Sequence, residues 1–363
     1  MPPAFDRDVL RCLPLREAVL LRARHATAPE GLKELFDRHR GTGSERERSL
    51  ATRVALTGDA RLEHEGSGRQ SFQRGRAQGQ LSVTDQAASQ KLGRLPLAVS
   101  EAFLAESTQR LLPVLPAPAP APRQASLPAS LRDWEIVVLD GTVVTRVPQR
   151  LRPLRGSRAG VGGGKALAAL SLRNHVALAF ATHPDGHTNA ASLVPARLPQ
   201  VRGHAPASVG VADAHCGNPP PIAAFTARPG DHVVVRYDGT SSFGAEARHP
   251  PRSGRDRRGR VYQESWGWLG GPRNRHRCYV RRLVLERPGD QPLIVLTDVL
   301  DSEAYPAADV LEIYRQRWGI ERVFQVITAV VPLQHLIGST PPGTRFQLAL
   351  CLWWYNLIQV VRA

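Results

Sequence analysis

WEIVVLDGTVVTRV, from Trp134 to Val147, is a β-branched and apolar run with one acid inside it. Such a run reads as a strand buried on both faces, as in the middle of a sheet. Asp140 interrupts it, where a carboxylate is costly unless it is paired or binds a metal. Asp140–Gly141 also has the composition of a turn. The chain supplies partners on the C-terminal side. KALAALSLRN (Lys165 to Asn174) and HVALAFATH (His175 to His183) read as two strands joined by a tight turn. NAASLVPARLPQV (Asn189 to Val201) starts on a capping-type residue and reads as a helix, limited by Pro195. ASVGVADAHC (Ala207 to Cys216) is a short strand entering a polar turn, and NPPPIAAFTARPG offers a short helix with proline at its start and glycine past its end. Three strands, helix, strand, helix predict an α/β fold built on a mixed sheet with helical cover. Asp213 closes VGVAD at a strand's carboxyl edge, where open α/β sheets place functional groups.

Upstream, residues 1–112 read as helical and polar, with Leu32, Leu35 and Phe36, and again Ala98, Ala102 and Ala105, at helical spacing. GSGRQSFQRGRAQGQ (Gly66 to Gln80) reads as a loop that is either phosphate-contacting, through Arg69, Arg74 and Arg76, or merely solvated. PVLPAPAPAPR (Pro113 to Arg123) forms neither helix nor interior strand, so a semi-rigid linker over 113–126 separates the helical region from a second domain over 127–363.

At about 228–300 the strand–helix alternation stops. Strand-like pieces (HVVVRYDG, RCYVRRLVLER, PLIVLTDVL) surround RSGRDRRGR, which contains Arg257 and Arg258. Between Arg228 and Arg282 stand 13 arginines against 5 acids, so a basic β-rich insertion is expected to lie along a DNA backbone. The whole chain of 363 residues carries a formal charge of +16, which points to a polyanionic partner. Arginine vastly outnumbers lysine, as a GC-rich genome would produce, but that bias does not explain 48 bases against 32 acids. The four cysteines, Cys12, Cys216, Cys278 and Cys351, lie too far apart for a zinc or disulfide framework. No signal peptide is evident. The most apolar run, Leu348 to Val361, is short for a membrane span and contains Asn356 and Gln359, so no membrane partner and a cytoplasmic, nucleoid-associated location are expected.

PAADVLEIYRQRWGIERVFQVITAV, Pro306 to Val330, reads as one helix with acids in its early turns. Stepping about 100° per residue puts Arg317, Glu321 and Thr328 within about 60° of Tyr314, on one stripe. Ile313, Ile320, Phe324, Ile327 and Val331 form an apolar stripe beside it. Two strand-borne aspartates and this glutamate could converge on a pair of Mg²⁺ ions, which need oxygen ligands and can drive phosphodiester displacement.

These residues resemble the Tyr-x2-Arg-x3-Glu-x6-Lys motif and the two earlier acidic motifs of DDE transposases of the insertion-sequence-four group. Tyr314, Arg317 and Glu321 stand at the required spacings, Leu139–Gly141 matches the first acidic motif and Val211–Asp213 the second. The resemblance covers most of the chain and is strongest from Trp134 onward. It implies a ribonuclease-H-like mixed sheet flanked by helices, with the β-rich insertion and an N-terminal helical DNA-binding domain. It implies an enzyme that cleaves the terminal inverted repeats of a mobile element and transfers the strand to target DNA, using two Mg²⁺ (or Mn²⁺) ions on Asp140, Asp213 and Glu321. Tyr314 and Arg317 would contact phosphates, Arg257 and Arg258 the duplex, and a homodimer would form the synaptic complex.

The chain departs from the family at several points. Thr328 holds the lysine position, Ala214 follows the second acid where arginine is frequent, and Leu293 stands nearest the tryptophan that stacks a flipped base in hairpin-forming members. Trp266 and Trp268 could stack instead or pack internally. The end at Ala363 falls short of the expected C-terminal segment. A truncated or decayed copy that binds element ends without cutting is therefore the alternative, and a stand-alone nuclease a third reading. Asp298 is also strand-borne, His183-x3-His187 around Asp185 lacks an evident third metal ligand, and GVGGGK (Gly160 to Lys165) reads as a connector, without P-loop spacing.

Overall fold

The computed structural model describes residues 15–41, 50–62, 67–114 (apart from 83, 85, 88, 89, 91 and 92), 127–143, 165–330 (apart from 184 and 186) and 341–362. The Pro/Ala run beyond residue 114, the glycines before Lys165 and Cys12 lie outside them.

Ten strands form one sheet. They are β1 (Glu135–Val143), β2 (Lys165–Ser171), β3 (Ala177–His183), β4 (Ser208–Ala212), β5 (His232–Arg236), β6 (Phe243–Ala245), β7 (Arg252–Arg255), β8 (Val261–Leu269), β9 (Cys278–Leu285) and β10 (Leu293–Thr297). Their order is β3-β2-β1-β4-β5-β10-β9-β8-β6, with β7 also paired to β8. β1, β4 and β5 run parallel, and β2 and β3 pair antiparallel on one flank. This is the expected mixed sheet, with helices on both faces. Asp140–Gly141 is not a turn: Asp140 pairs in register with Ala168 and Gly141 with Leu167.

β1 alternates its side chains between two cores. Ile136 and Val138 face one, Val137 and Leu139 the other, and all four are buried. The first core takes the N-terminal helices α1 (Leu15–Ala26), α2 (Pro29–His39), α3 (Leu50–Leu62), α4 (Gly68–Ala77) and α5 (Leu97–Leu111). The second takes α6 (Val194–Arg202) and α7 (Pro219–Phe225). α8 (Ala307–Gln316), α9 (Gly319–Val330) and α10 (Pro341–Arg362) return to the first face. Phe103 of α5 packs on Phe346 and Trp353 of α10, with ring centroids 5.8 and 5.7 Å away. Asn356, the polar residue of the most apolar run, is fully buried. Its amide donates to Thr108 Oγ1 (2.7 Å) and the Ala177 carbonyl (2.8 Å) and accepts from the Ala177 N–H (2.7 Å). It thus satisfies backbone groups at the start of β3 while tying two helices to it. Among the described residues no helix is long and apolar enough to cross a membrane.

Two sequence expectations are corrected here. The stretch from Gly66 to Gln80 is not a loop through most of its length: Gly68–Ala77 is helical, and Ser67 caps it by accepting from the Gln70 N–H. Gly68, Ser71, Phe72 and Gly75 are buried, and a Cβ on Gly75 would lie 2.7 Å from the Leu56 side chain. The single helix expected over Pro306–Val330 is two. At the junction Arg317, Trp318 and Ile320 donate to residues three back, a tighter 3₁₀-type turn, and Gly319, a poor helix former, opens the second helix.

The β-rich insertion extends the core sheet. β10 pairs antiparallel with β5, and β9 and β8 follow outward. The strand HVVVR, expected to begin the change of pattern, is β5, parallel to β4. Part of the insertion's positive charge is paired: Arg281 with Glu264 at 2.6 Å, both buried, and Arg260 with Asp256 at 2.7 Å within it, and Arg257 with Asp309 of α8 at 2.8 Å.

Candidate active site

Parallel strands bring their carboxyl ends to one side. Leu139 and Ala212 are the last residues paired between β1 and β4, so Asp140, still paired with Ala168 of β2, and Asp213, just past β4, stand side by side beyond that pairing. Asp213 caps the short 3₁₀ turn Ala214–Cys216, its Oδ1 accepting from the His215 N–H at 3.0 Å. Two glycines allow close approach here. A Cβ on Gly141 would stand 2.5 Å from Ala190 Cβ, and one on Gly217 would stand 2.0 Å from the Arg236 carbonyl oxygen. The second contact seats the turn after Asp213 against the end of β5.

α8 and α9 close the site from above the first core. Tyr314 is buried, and Arg317 at the turn reaches down to Asp140 with Nη1–Oδ2 3.0 Å. Its Nη2 lies 3.9 Å from Glu321 Oε1, one turn on. The Arg317 side chain is 8% exposed and that of Asp140 12%, whereas Glu321 stands at 42%. Asp140, Asp213, Tyr314, Arg317 and Glu321 thus line one cavity of about 470 Å³, with Gly141, Ala214, His215, Arg236 and Phe324.

The electrostatics are those of a site short of cations. Burial pushes the Asp140 carboxyl above the ordinary carboxylate range. Arg317 opposes this, while the charges of Asp213 and Glu321 push it further up. Burial, then Asp213 and Asp140, push the Cys216 thiol strongly up, so it stays protonated. Burial raises the Tyr314 phenol against the pull of Arg317, its hydrogen bond with Arg317 and the charge of Arg236. Among the described residues no three His, Cys, Asp or Glu side chains stand close enough to share one ion. The donor set nevertheless fits a hard divalent cation: three carboxylates face one cavity, two of them raise the pKa of the third, and a guanidinium lies against two. An ion there would supply the positive charge the carboxylates lack.

Five residues singled out in the sequence therefore meet. Arg257 and Arg258 do not join them. They lie on the β7–β8 turn, where Arg257 is bound to Asp309 at the start of α8 and Arg258 is exposed. Thr328 is in α9. Trp266 is packed, donating to the Leu300 carbonyl at 3.0 Å, whereas Trp268 is 40% exposed beneath the Arg277 guanidinium. His215, Arg236 and Phe324 were not foreseen as site residues. Arg236 could have been found by the rule that singled out Asp213, since it ends the apolar run HVVV at the carboxyl end of β5. His183 Nδ1 is 2.7 Å from Thr188 Oγ1, and His187 is exposed.

A family model described as the transposase DDE domain matches residues 132–357. No curated protein matches the chain. Among solved structures, a piggyBac transposase synaptic complex with hairpin DNA aligns with a TM-score of 0.42 and 11% identity, over 93% of this chain and 75% of that one. The match over residues 132–357, which spans the sheet and every residue lining the cavity, places the chain in the transposase DDE domain family.

Proposed function

We propose that this transposase cuts DNA at the ends of a mobile element and joins those ends to target DNA, with Asp140, Asp213 and Glu321 holding two Mg²⁺ or Mn²⁺ ions. The observation that carries the reading is the cavity that gathers all three acids with Tyr314 and Arg317 at the carboxyl ends of β1 and β4. Bound divalent ions would activate the attacking oxygen and stabilise the leaving one. The chain's own residues do the positioning. Asp140 is held in β1 and Asp213 just past the end of the adjacent β4, and Glu321 is presented from the first turn of α9. Arg317, whose planar fork matches phosphate oxygens, and Arg236, exposed on the cavity wall, orient the DNA backbone. Tyr314 packs beneath Arg317 and limits water on the core side of the cavity. Arg258 and the other exposed arginines of the insertion contact the duplex farther out, and two copies assemble on paired ends.

A second reading has support in two positions. Thr328 and Ala214 leave the family's motif without two cations, which favours a copy that binds element ends without cutting. Cleavage of a labelled duplex carrying the element's own end, with Mg²⁺, tests both. Nicking at the boundary by the native chain, lost by about a thousandfold in Glu321→Ala, supports the enzyme. Specific binding without cleavage by either protein supports the decayed copy.

A further inference from the structure

The cavity already holds a cation, and it belongs to the chain. Arg317 lies 3.0 Å from Asp140 and 3.9 Å from Glu321, with its side chain 8% exposed. It stands against two of the three carboxylates assigned above to metal, and among the described residues no three ligand side chains are close enough to share an ion. Two observations separate this contact from a structural ion pair. First, Arg317 Nε is buried without a hydrogen-bond partner among the described residues, so the guanidinium has donor capacity that the protein leaves unused. Second, Arg317 lies on the 3₁₀-type turn between α8 and α9, beside Gly319 and the exposed Trp318, rather than within a rigid helix.

We propose that Arg317 is an exchangeable counter-ion: without DNA its guanidinium competes with divalent metal at Asp140 and Glu321, and a DNA phosphate entering the cavity draws it away, so that DNA binding promotes metal binding. The proposal rests on the reading of the three acids as metal ligands. Its basis is charge balance. A divalent ion at the carboxylates leaves Arg317 facing a like charge, whereas a phosphate offers its fork two acceptors and a negative charge. Arg236, on the same cavity wall, attracts that phosphate. Because binding linkage is reciprocal, metal must tighten DNA binding by the same factor by which DNA tightens metal binding.

The test is a Mn²⁺ titration of the full chain without DNA, read from the electron paramagnetic resonance signal of the free ion. Native protein, Asp213→Asn, Arg317→Gln and the double variant Arg317→Gln/Asp213→Asn are compared. The expected result is about tenfold tighter Mn²⁺ binding in Arg317→Gln than in the native chain, with that gain lost in the double variant. Equal affinity in native and Arg317→Gln, both weakened by Asp213→Asn, overturns the counter-ion while leaving the metal site intact. Binding that ignores Asp213→Asn overturns the metal-site reading itself, and the counter-ion with it. Circular dichroism reports whether Arg317→Gln folds. If it does not, the native chain decides alone: a short 5′-phosphorylated duplex should tighten Mn²⁺ about tenfold beyond its effect on Asp213→Asn, and no such tightening overturns the proposal.

Discussion

The two ends of the parallel strands each carry an aspartate beside arginine, Asp231 buried and Asp140 partly so, and they differ in how fully the acid is paired. At the amino end, Asp231 is 4% exposed and fully engaged. Its Oδ2 accepts from Arg202 Nε (2.7 Å) and Arg228 Nε (3.0 Å), and its Oδ1 from Arg228 Nη2 (2.6 Å), the Ser208 hydroxyl (2.9 Å) and the Ser208 N–H (3.2 Å). Burial pushes this carboxyl up, but the bonds from Arg228, Arg202 and Ser208 outweigh it and hold it below the ordinary range. At the carboxyl end, Asp140 has one arginine, its own neighbour's N–H and two carboxylates nearby, and it is pushed above that range. The same residue type on one sheet is thus saturated at one end and undersupplied at the other. Saturation stabilises a fold. An acid that shares a cavity with two others and has few donors is a candidate ligand site.

Asp213→Asn keeps an oxygen to accept from the His215 N–H but removes the charge. Cleavage should fall about a thousandfold while the urea midpoint barely moves, measured side by side on one preparation. A large stability loss with little loss of cleavage would assign Asp213 to the fold. Asp231→Asn at the other end should do the reverse. It leaves two buried-side guanidinium groups without their acid and should cost about 3 kcal/mol of unfolding free energy, with DNA cleavage by the surviving folded fraction unchanged.

The pH dependence sharpens the same contrast. The folded-state pKa of Asp231 lies below its unfolded value near 3.8, so between the two the unfolded chain binds more protons. Its contribution is therefore present above about pH 4 and lost as pH falls through the folded value. Acid unfolding followed by circular dichroism should be shallower in Asp231→Asn, and an unaltered acid limb would remove Asp231 from this role. The smallest effect separates the two insertion arginines. Arg258 is exposed while Arg257 is bound to Asp309, so Arg258→Ala should lower the log–log salt slope of duplex binding by about one, and Arg257→Ala by less. Equal slopes for both variants would show that the Asp309 contact does not hold Arg257 away from DNA.

Much of this was legible in the chain itself. Strands β1 to β5 are apolar runs bounded by turn residues, and period and composition suffice for such elements. Asp140 and Asp213 stood out because an acid in or at the end of an apolar run demands an explanation. The N-terminal helix Gly68–Ala77 was missed because RQSFQRGRAQ has only one large apolar residue; its helix is supported by tertiary contact, with Phe72 buried and Gly75 pressed on Leu56. The break at Arg317 was missed because a single glycine after an aromatic residue is compatible with continuous helical periodicity.

Sequence alone determined the kinds and order of the elements from β1 to β5, the acids and the spacing of Tyr314, Arg317 and Glu321, since these depend on local patterning and on motif. Only the tertiary structure decided which charges meet. Arg317 could have paired with Glu321 alone, four residues away, but β1 brings it Asp140 from 177 positions upstream at 3.0 Å. Arg236 and His215 join the cavity because parallel strands end on one side, and Arg257 is spent on Asp309 because the β7–β8 turn folds back onto α8. Pairing energy depends on distance and desolvation in space, and neither is encoded in the separation of residues along the chain.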